Sequence, residues 1–358
     1  MGNQNSAPKA SSGAKAAPAS RAWKAVSYAW SNYGFIFIFA AIFIIFLLCS
    51  GGVTWNGVMN ILRHSGVVGI VALGMGLVII TGGIDLSVGS MLALVGGFSV
   101  IIFNLTNSIL VTLLFSLALG SFCGLINGVL IGKAKMPAFI VTLSTMLIYR
   151  SLAQYYCKAI SADYTGGTNS VYKIFRELSK YDLFYSIGNG KVLTIPMVGI
   201  VLLVLTVVCV YVATSTKFGK KLYAIGSNEK AARLAGINVD NLTVLVYTLA
   251  GLFVGCGAFL WIAMNASVDP ATTGNSYEMY AIAAVVIGGI SMTGGRGKML
   301  GILFGAMSYT VIDKIIVALK MDSLINDSIK GAILIVAILI QTVGPMLKAR
   351  LTAKKKAK

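Results

Sequence analysis

Long apolar runs separated by short polar stretches recur along almost the whole chain. They fall at Phe35 to Leu48, Gly66 to Ile80, Val88 to Phe103, Ile109 to Ile131, Ala138 to Leu152, Val192 to Ala213, Leu242 to Met264, Met279 to Ile290, Leu300 to Leu319 and Ile329 to Val343. A helix needs roughly 20 apolar residues to cross the hydrocarbon of a bilayer, so the pattern predicts about ten crossings. Apolar and polar residues do not alternate as they would in a membrane barrel, so the expected class is an all-α polytopic membrane protein. Residues 34–345 form the membrane part, flanked by a disordered tail at 1–33 and a basic tail at 346–358. One polar stretch, Cys157 to Lys191, carries Val171, Ile174, Phe175 and Leu178 at helical spacing, with Lys173, Arg176, Glu177 and Lys180 between them. That periodicity predicts an amphipathic helix lying at the membrane surface.

Composition agrees with this picture. Hydrophobic residues make up 57% of the 358 and charged residues 11%, against roughly a quarter charged in a soluble domain. The 40 glycines and 6 prolines suit closely packed helices with a few interruptions. The net charge of +18 is not a nucleic-acid footprint, because the basic residues are scattered between apolar runs. If the termini and alternate loops face inward, those segments hold 19 of the 29 Lys and Arg, which places both ends in the cytoplasm. Five scattered cysteines without a C-x-x-C pair, and the single His64, make neither a disulfide framework nor a metal site.

Three stretches carry candidate mechanism. The largest inner loop, 215–241, contains Gly226-Ser227-Asn228-Glu229-Lys230-Ala231-Ala232-Arg233-Leu234-Ala235-Gly236. Ser227 or Asn228 can cap a short helix there and Gly236 can end it. The stretch Thr81-Gly82-Gly83-Ile84-Asp85-Leu86-Ser87-Val88-Gly89-Ser90 interrupts two spans. Its glycines permit tight turns, and Asp85 or Ser87 either caps the next helix or touches solute or gate. Gly288-Gly289-Ile290-Ser291-Met292-Thr293-Gly294-Gly295 is a fainter echo of Gly82 to Gly89.

The loop 215–241 resembles the coupling loop of permease subunits of bacterial ATP-binding-cassette importers, with Glu229-x-Ala231-Ala232-x-x-x-Gly236 one residue longer than the usual spacing. The Thr81 to Ser90 stretch resembles the signature of the ribose and galactose branch. Asn127-Gly128, Pro137 to Leu143, Lys217-Phe218-Gly219 and Gly294-Gly295-Arg296-Gly297 extend that resemblance from about Gly66 to the final span. It implies a subunit that hydrolyses nothing, a separate cytoplasmic ATPase holding ATP and Mg, and an external solute-binding protein. It further implies a second permease copy and a sugar-like solute. No G-x-x-x-x-G-K-[ST] phosphate loop is present in the chain. The loop 157–191 then serves either as a lid or as a platform for the binding protein. Asn127, Thr142, Ser144, Asn265, Glu278 and Asp313 are candidate path-lining groups, or merely bonds between helices. An ion-coupled secondary transporter using Asp85 or Asp313 is the alternative.

Overall fold

The computed structural model describes residues 18–167, 170–322, 325–339 and 343, with side chains from Tyr33 onward. Helices occupy the apolar runs: α1 (Pro18–Ser50), α2 (Trp55–Ile80), α3 (Val88–Thr106), α4 (Ile109–Gly132) and α5 (Ala138–Ala159). The short α6 (Ala162–Thr165), β1 (Tyr172–Lys173), α7 (Tyr181–Asn189), β2 (Lys191–Val192) and β3 (Ile195–Pro196) lead into α8 (Met197–Ser215). There follow α9 (Lys217–Ser227), α10 (Glu229–Leu234), α11 (Val239–Asn265), β4 (Ser267–Val268), α12 (Tyr277–Ile287), α13 (Met299–Ala318) and α14 (326–339). Seven of the described helices are long and apolar enough to cross a membrane: α1 from Tyr33, α2, α3, α4, α8, α11 and α13. Helix α12 is short at 11 residues, and α5 carries Arg150 and Lys158. Helix α1 begins at Pro18, inside the expected tail; the tail residues 1–17 and 346–358 lie outside the described residues.

Helix α2 is the axis of the bundle, with 83% of its most apolar window buried, whereas α1 has 11% and packs on α13 through Phe35, Phe39 and Phe304. A continuous seam joins α4 to α11. Gly120, Gly124, Gly128 and Gly132 recur every fourth residue and so share one face. A Cβ at Gly124 would stand 3.0 Å from the Gly251 Cα, and one at Gly120 would stand 2.8 Å from the Gly255 Cα. The two backbones touch, the contact that small residues permit where lipid offers no hydrophobic drive.

Polar structure gathers at the two ends of the bundle. At one end β1 pairs antiparallel with β4, setting Tyr172 opposite Val268 and Lys173 opposite Ser267, and β2 pairs with β3. This pairing displaces the helix expected across Val171 to Leu178. Of the four expected positions only Ile174 is fully buried, just after the strand, and Tyr172, outside that pattern, is buried within it. The Tyr172 ring lies against the bare Cα of Gly97, its hydroxyl donates to the Ala153 carbonyl at 2.8 Å, and the Ile174 amide donates to the Ala266 carbonyl at 2.9 Å. Long-range partners thus outcompete the local helix, and the helix that does form in this loop, α7, is a different segment.

At the other end lie α9, α10, the α4–α5 turn and the segments that follow α2 and α12. Both of those helices stop the same way. Gly82 (φ 83°) and Gly289 (φ 82°) adopt left-handed backbone, and the next amides, of Gly83 and Ile290, each donate to the carbonyl five residues back at 3.1 Å. Gly82 therefore matches Gly289, one residue off the alignment expected from sequence, which set it against Gly288.

Candidate functional site

At the α10 end, sequence chemistry builds a small projecting helix. The Asn228 side chain accepts from the Ala231 amide at 3.0 Å, capping α10. Gly236 (φ 78°) closes it, with the Ile237 amide donating to the Ala232 carbonyl at 3.0 Å. Ala232 turns inward and packs with Ile225 and Val239, while Ala231 faces solvent and Leu234 is 91% exposed. Arg233 holds the helix down: it donates to Glu229 at 2.8 Å and to Asp240 at 2.7 Å, and Lys135 of the α4–α5 turn pairs with the same Asp240. The two carboxylates push the Arg233 guanidinium even further toward its charged form. A cavity of about 240 Å³ opens beside this network, bordered by Gly82, Gly83, Lys135, Asp240 and Tyr247.

Three glycine turns meet directly behind α10. The Gly295 amide donates to the Ile80 carbonyl at 2.9 Å, binding the end of α2 to the segment after α12. Gly226, in the last turn of α9, lies against both partners of that bond, and a Cβ there would overlap the Ile80 oxygen and the Gly295 nitrogen. Tyr223 adds a bond from its hydroxyl to the Gly297 carbonyl at 2.9 Å.

From this junction residues 81–87 climb to α3. Asp85 is fully buried, and its Oδ1 accepts from the Ser87 amide at 2.9 Å and the Ser87 hydroxyl at 2.6 Å. Asp85, not Ser87, therefore supports the start of α3, where Ser87 itself makes no side-chain cap. The Asn127 amide of α4 donates to the Ser87 hydroxyl at 2.9 Å, and the Tyr247 hydroxyl of α11 donates to the Ile84 carbonyl at 2.9 Å. The first turn of α3 also meets the loop before α12 and α12 itself, since a Cβ at Gly89 would overlap the Gly274 carbonyl oxygen and stand 2.8 Å from Glu278 Oε2. Arg150 of α5 pins that loop by donating to the carbonyls of Pro270 at 3.0 Å and Thr273 at 2.6 Å.

The structure thus brings together Gly82, Gly83, Gly226 and the α10 residues, and separately Asp85, Ser87 and Asn127. Glu278 lies near the second group. The remaining candidates are dispersed. Thr142 is buried and bonds its own helix at Ala138, and Ser144 is exposed on α5. Asn265 lies at the opposite end, in a groove of about 690 Å³ lined by Lys173, Arg176, Tyr181, Tyr185 and Ser267. Asp313 pairs with Lys330 of α14 at 2.6 Å. Two residues escape the sequence reading. Arg150 stands inside a predicted span, where an ionisable group is itself a signal, whereas the exposure of Leu234 has no signature in the sequence.

Comparison with known proteins places this architecture. A family profile described as the permease component of the branched-chain amino acid transport system matches residues 57–338. The chain belongs to this permease family. It is similar to the ribose import permease protein of Escherichia coli K12, 36% identical over 287 residues that cover 80% of this chain and 86% of the relative. The ribose import permease protein of Bacillus subtilis is 35% identical, covering 86% and 91%, and the fructose import permease protein of Rhizobium meliloti is 36% identical, covering 78% and 76%. No solved structure matches. The permease is a multi-pass transport subunit of the bacterial inner membrane and not an enzyme in its own right.

Proposed function

We propose that this permease forms the membrane path of an ATP-binding-cassette importer for a small sugar delivered by an external binding protein, with ATP and Mg held by a separate cytoplasmic ATPase. Support for the solute class comes from relatives that bear the names ribose, xylose and fructose permease. The ion-coupled alternative has no support in those matches. The α10 end is the cytoplasmic end in this reading, because it carries Lys133, Lys135, Lys217, Lys220, Lys221, Lys230, Arg233, Arg296 and Lys298. Ten crossings through residues 34–345, with α5, α12 and α14 completing the seven long ones, then leave both termini inside.

The observation that carries the mechanism is the projecting α10 of the coupling loop 215–241. Its free face presents Ala231 and Leu234, while Glu229, Arg233, Asp240 and Lys135 fix its base. An ATPase that closes against this face pushes α10, and the glycine junction passes the push to Gly82, Gly83 and the interrupted spans. Asp85, Ser87 and Asn127 hold the turn that moves, and Glu278 with Thr142 borders the path. Ser144 lies on an exposed α5 face among Ile140, Leu147 and Ile148, which suits a second permease copy in a homodimer or surrounding lipid. The loop 157–191 and Asn265 form the face that meets the binding protein.

Crosslinking from single cysteines tests the contact. A231C and L234C should give products with the ATPase subunit, and A232C, turned inward, should not. Absence of product at both exposed positions in an assembled complex would refute it.

A further inference from the structure

Within the buried turn between α2 and α3 the hydrogen-bond count does not close if Asp85 is ionised. Its Oδ1 accepts twice from Ser87. Its Oδ2 has no donor, and neither does the Asn127 Oδ1 in the same cluster. Both residues are fully buried, and Asn127 belongs to the cluster through the bond from its amide to the Ser87 hydroxyl. Two unsatisfied acceptors in one fully buried cluster leave it short of one donor. The ionisable groups facing Asp85 are the Cys123 thiol of α4, the Tyr149 phenol of α5 and the Tyr247 phenol of α11. Tyr149 spends its hydroxyl on the Cys123 carbonyl and Tyr247 spends its own on the Ile84 carbonyl, so neither supplies the missing donor. None of the described salt bridges reaches Asp85, so no cation compensates a charge there.

We infer that Asp85 is a neutral carboxylic acid, with a proton on Oδ2 donated to Asn127 Oδ1. One proton resolves both orphans at once: Oδ2 turns from acceptor to donor, and Asn127 Oδ1 gains its partner. The Ser87 bonds to Oδ1 are kept, because the unprotonated oxygen of a carboxylic acid still accepts. The chain Asp85–Asn127–Ser87–Asp85 then closes as a ring of hydrogen bonds between the α2–α3 turn and α4. A buried ion would instead require a counter-charge or water. Asp85 is on this account a positioning residue for the interrupted span, carrying no charge across the membrane. The inference is independent of the solute transported.

Infrared difference spectroscopy on the purified transporter complex, with isotope-labelled aspartate, tests it. A protonated-carboxyl carbonyl band should be present at neutral pH, persist from mildly acidic to mildly alkaline pH, and vanish in D85N. In N127L, which removes the acceptor without adding a charge, the same band should shift upward as its hydrogen bond is lost. That second variant assigns the band even where D85N assembles poorly. D85N, whose amide reproduces the acceptor at Oδ1 and the donor at the second position, should keep the assembly and thermal stability that D85A loses. A carboxylate stretch for Asp85 at neutral pH, or a carboxyl band unmoved by N127L, would overturn the inference.

Discussion

The glycine seam between α4 and α11 supports a quantitative prediction. In G124A the new Cβ would stand 2.2 Å from the Tyr247 carbonyl oxygen and 3.0 Å from the Gly251 Cα, whereas unstrained carbon pairs sit at about 3.5–4.0 Å. The helices must part by about 1 Å or more, and a gap of about 0.5–1 Å already forfeits a quarter to a half of each van der Waals well along the seam. Because Gly120, Gly128 and Gly132 share the contact, relief at one point opens its neighbours. Overpacking of this kind costs about 1–3 kcal/mol. Thermal unfolding of the complex in detergent should show a lower midpoint for G124A and a larger fall for G124L. Gly331, within residues 326–339, is the control, because a methyl group added there would meet nothing within 4 Å. There alanine should leave the midpoint unchanged or raise it, since glycine inside a helix is disfavoured by about 0.5–1 kcal/mol. Equal midpoints for G124A, G124L and the parent protein would show that the helices do not touch as described.

Further consequences concern the caps, the clamp and the outer turn. N228A removes the side-chain acceptor for the Ala231 amide and should cost α10 about 0.5–2 kcal/mol, read as faster amide exchange across 229–237. R150Q loses charge-assisted bonds to Pro270 and Thr273, each worth about 1.5–3 kcal/mol, and should expose residues 269–276 to protease while the rest stays protected. Hydrogen bonds from the Thr272 hydroxyl, then from the Ala271 amide, hold the Asp269 carboxyl below its ordinary range. The folded state thus binds that proton less readily than the unfolded chain. The stabilisation is complete above the ordinary carboxylate pKa and fades as pH falls through the lowered value. D269N should therefore flatten the acid limb of a pH–stability curve and leave neutral behaviour shifted by a constant.

Much of the fold is legible in the sequence because lipid imposes a simple rule: backbone groups must pair inside the segment, so apolar runs become helices. The α10 caps are readable too, since Asn228 and Gly236 act on neighbours within a few residues. What escapes depends on distant partners. The run Val171 to Leu178 has helical spacing, but β4 and Gly97 supply contacts that no local pattern announces. Asn265 and Ser144 have the right chemistry for a sugar, yet their positions relative to the bundle follow from packing. The expected start of α2, at Gly66, falls well after the observed one at Trp55, because Asn56, Asn60, Arg63 and His64 interrupt its apolar run.

The bond between the Gly295 amide and the Ile80 carbonyl, with Gly226 wedged beside it, is main chain against main chain. No rotamer stands between the three segments of the joint to yield under load, as a longer side chain would. On the proposed reading, a displacement of α10 would reach the ends of α2 and α12 together, with the joint acting as a rigid knuckle and compliance left to the non-helical residues 83–87 and 290–293.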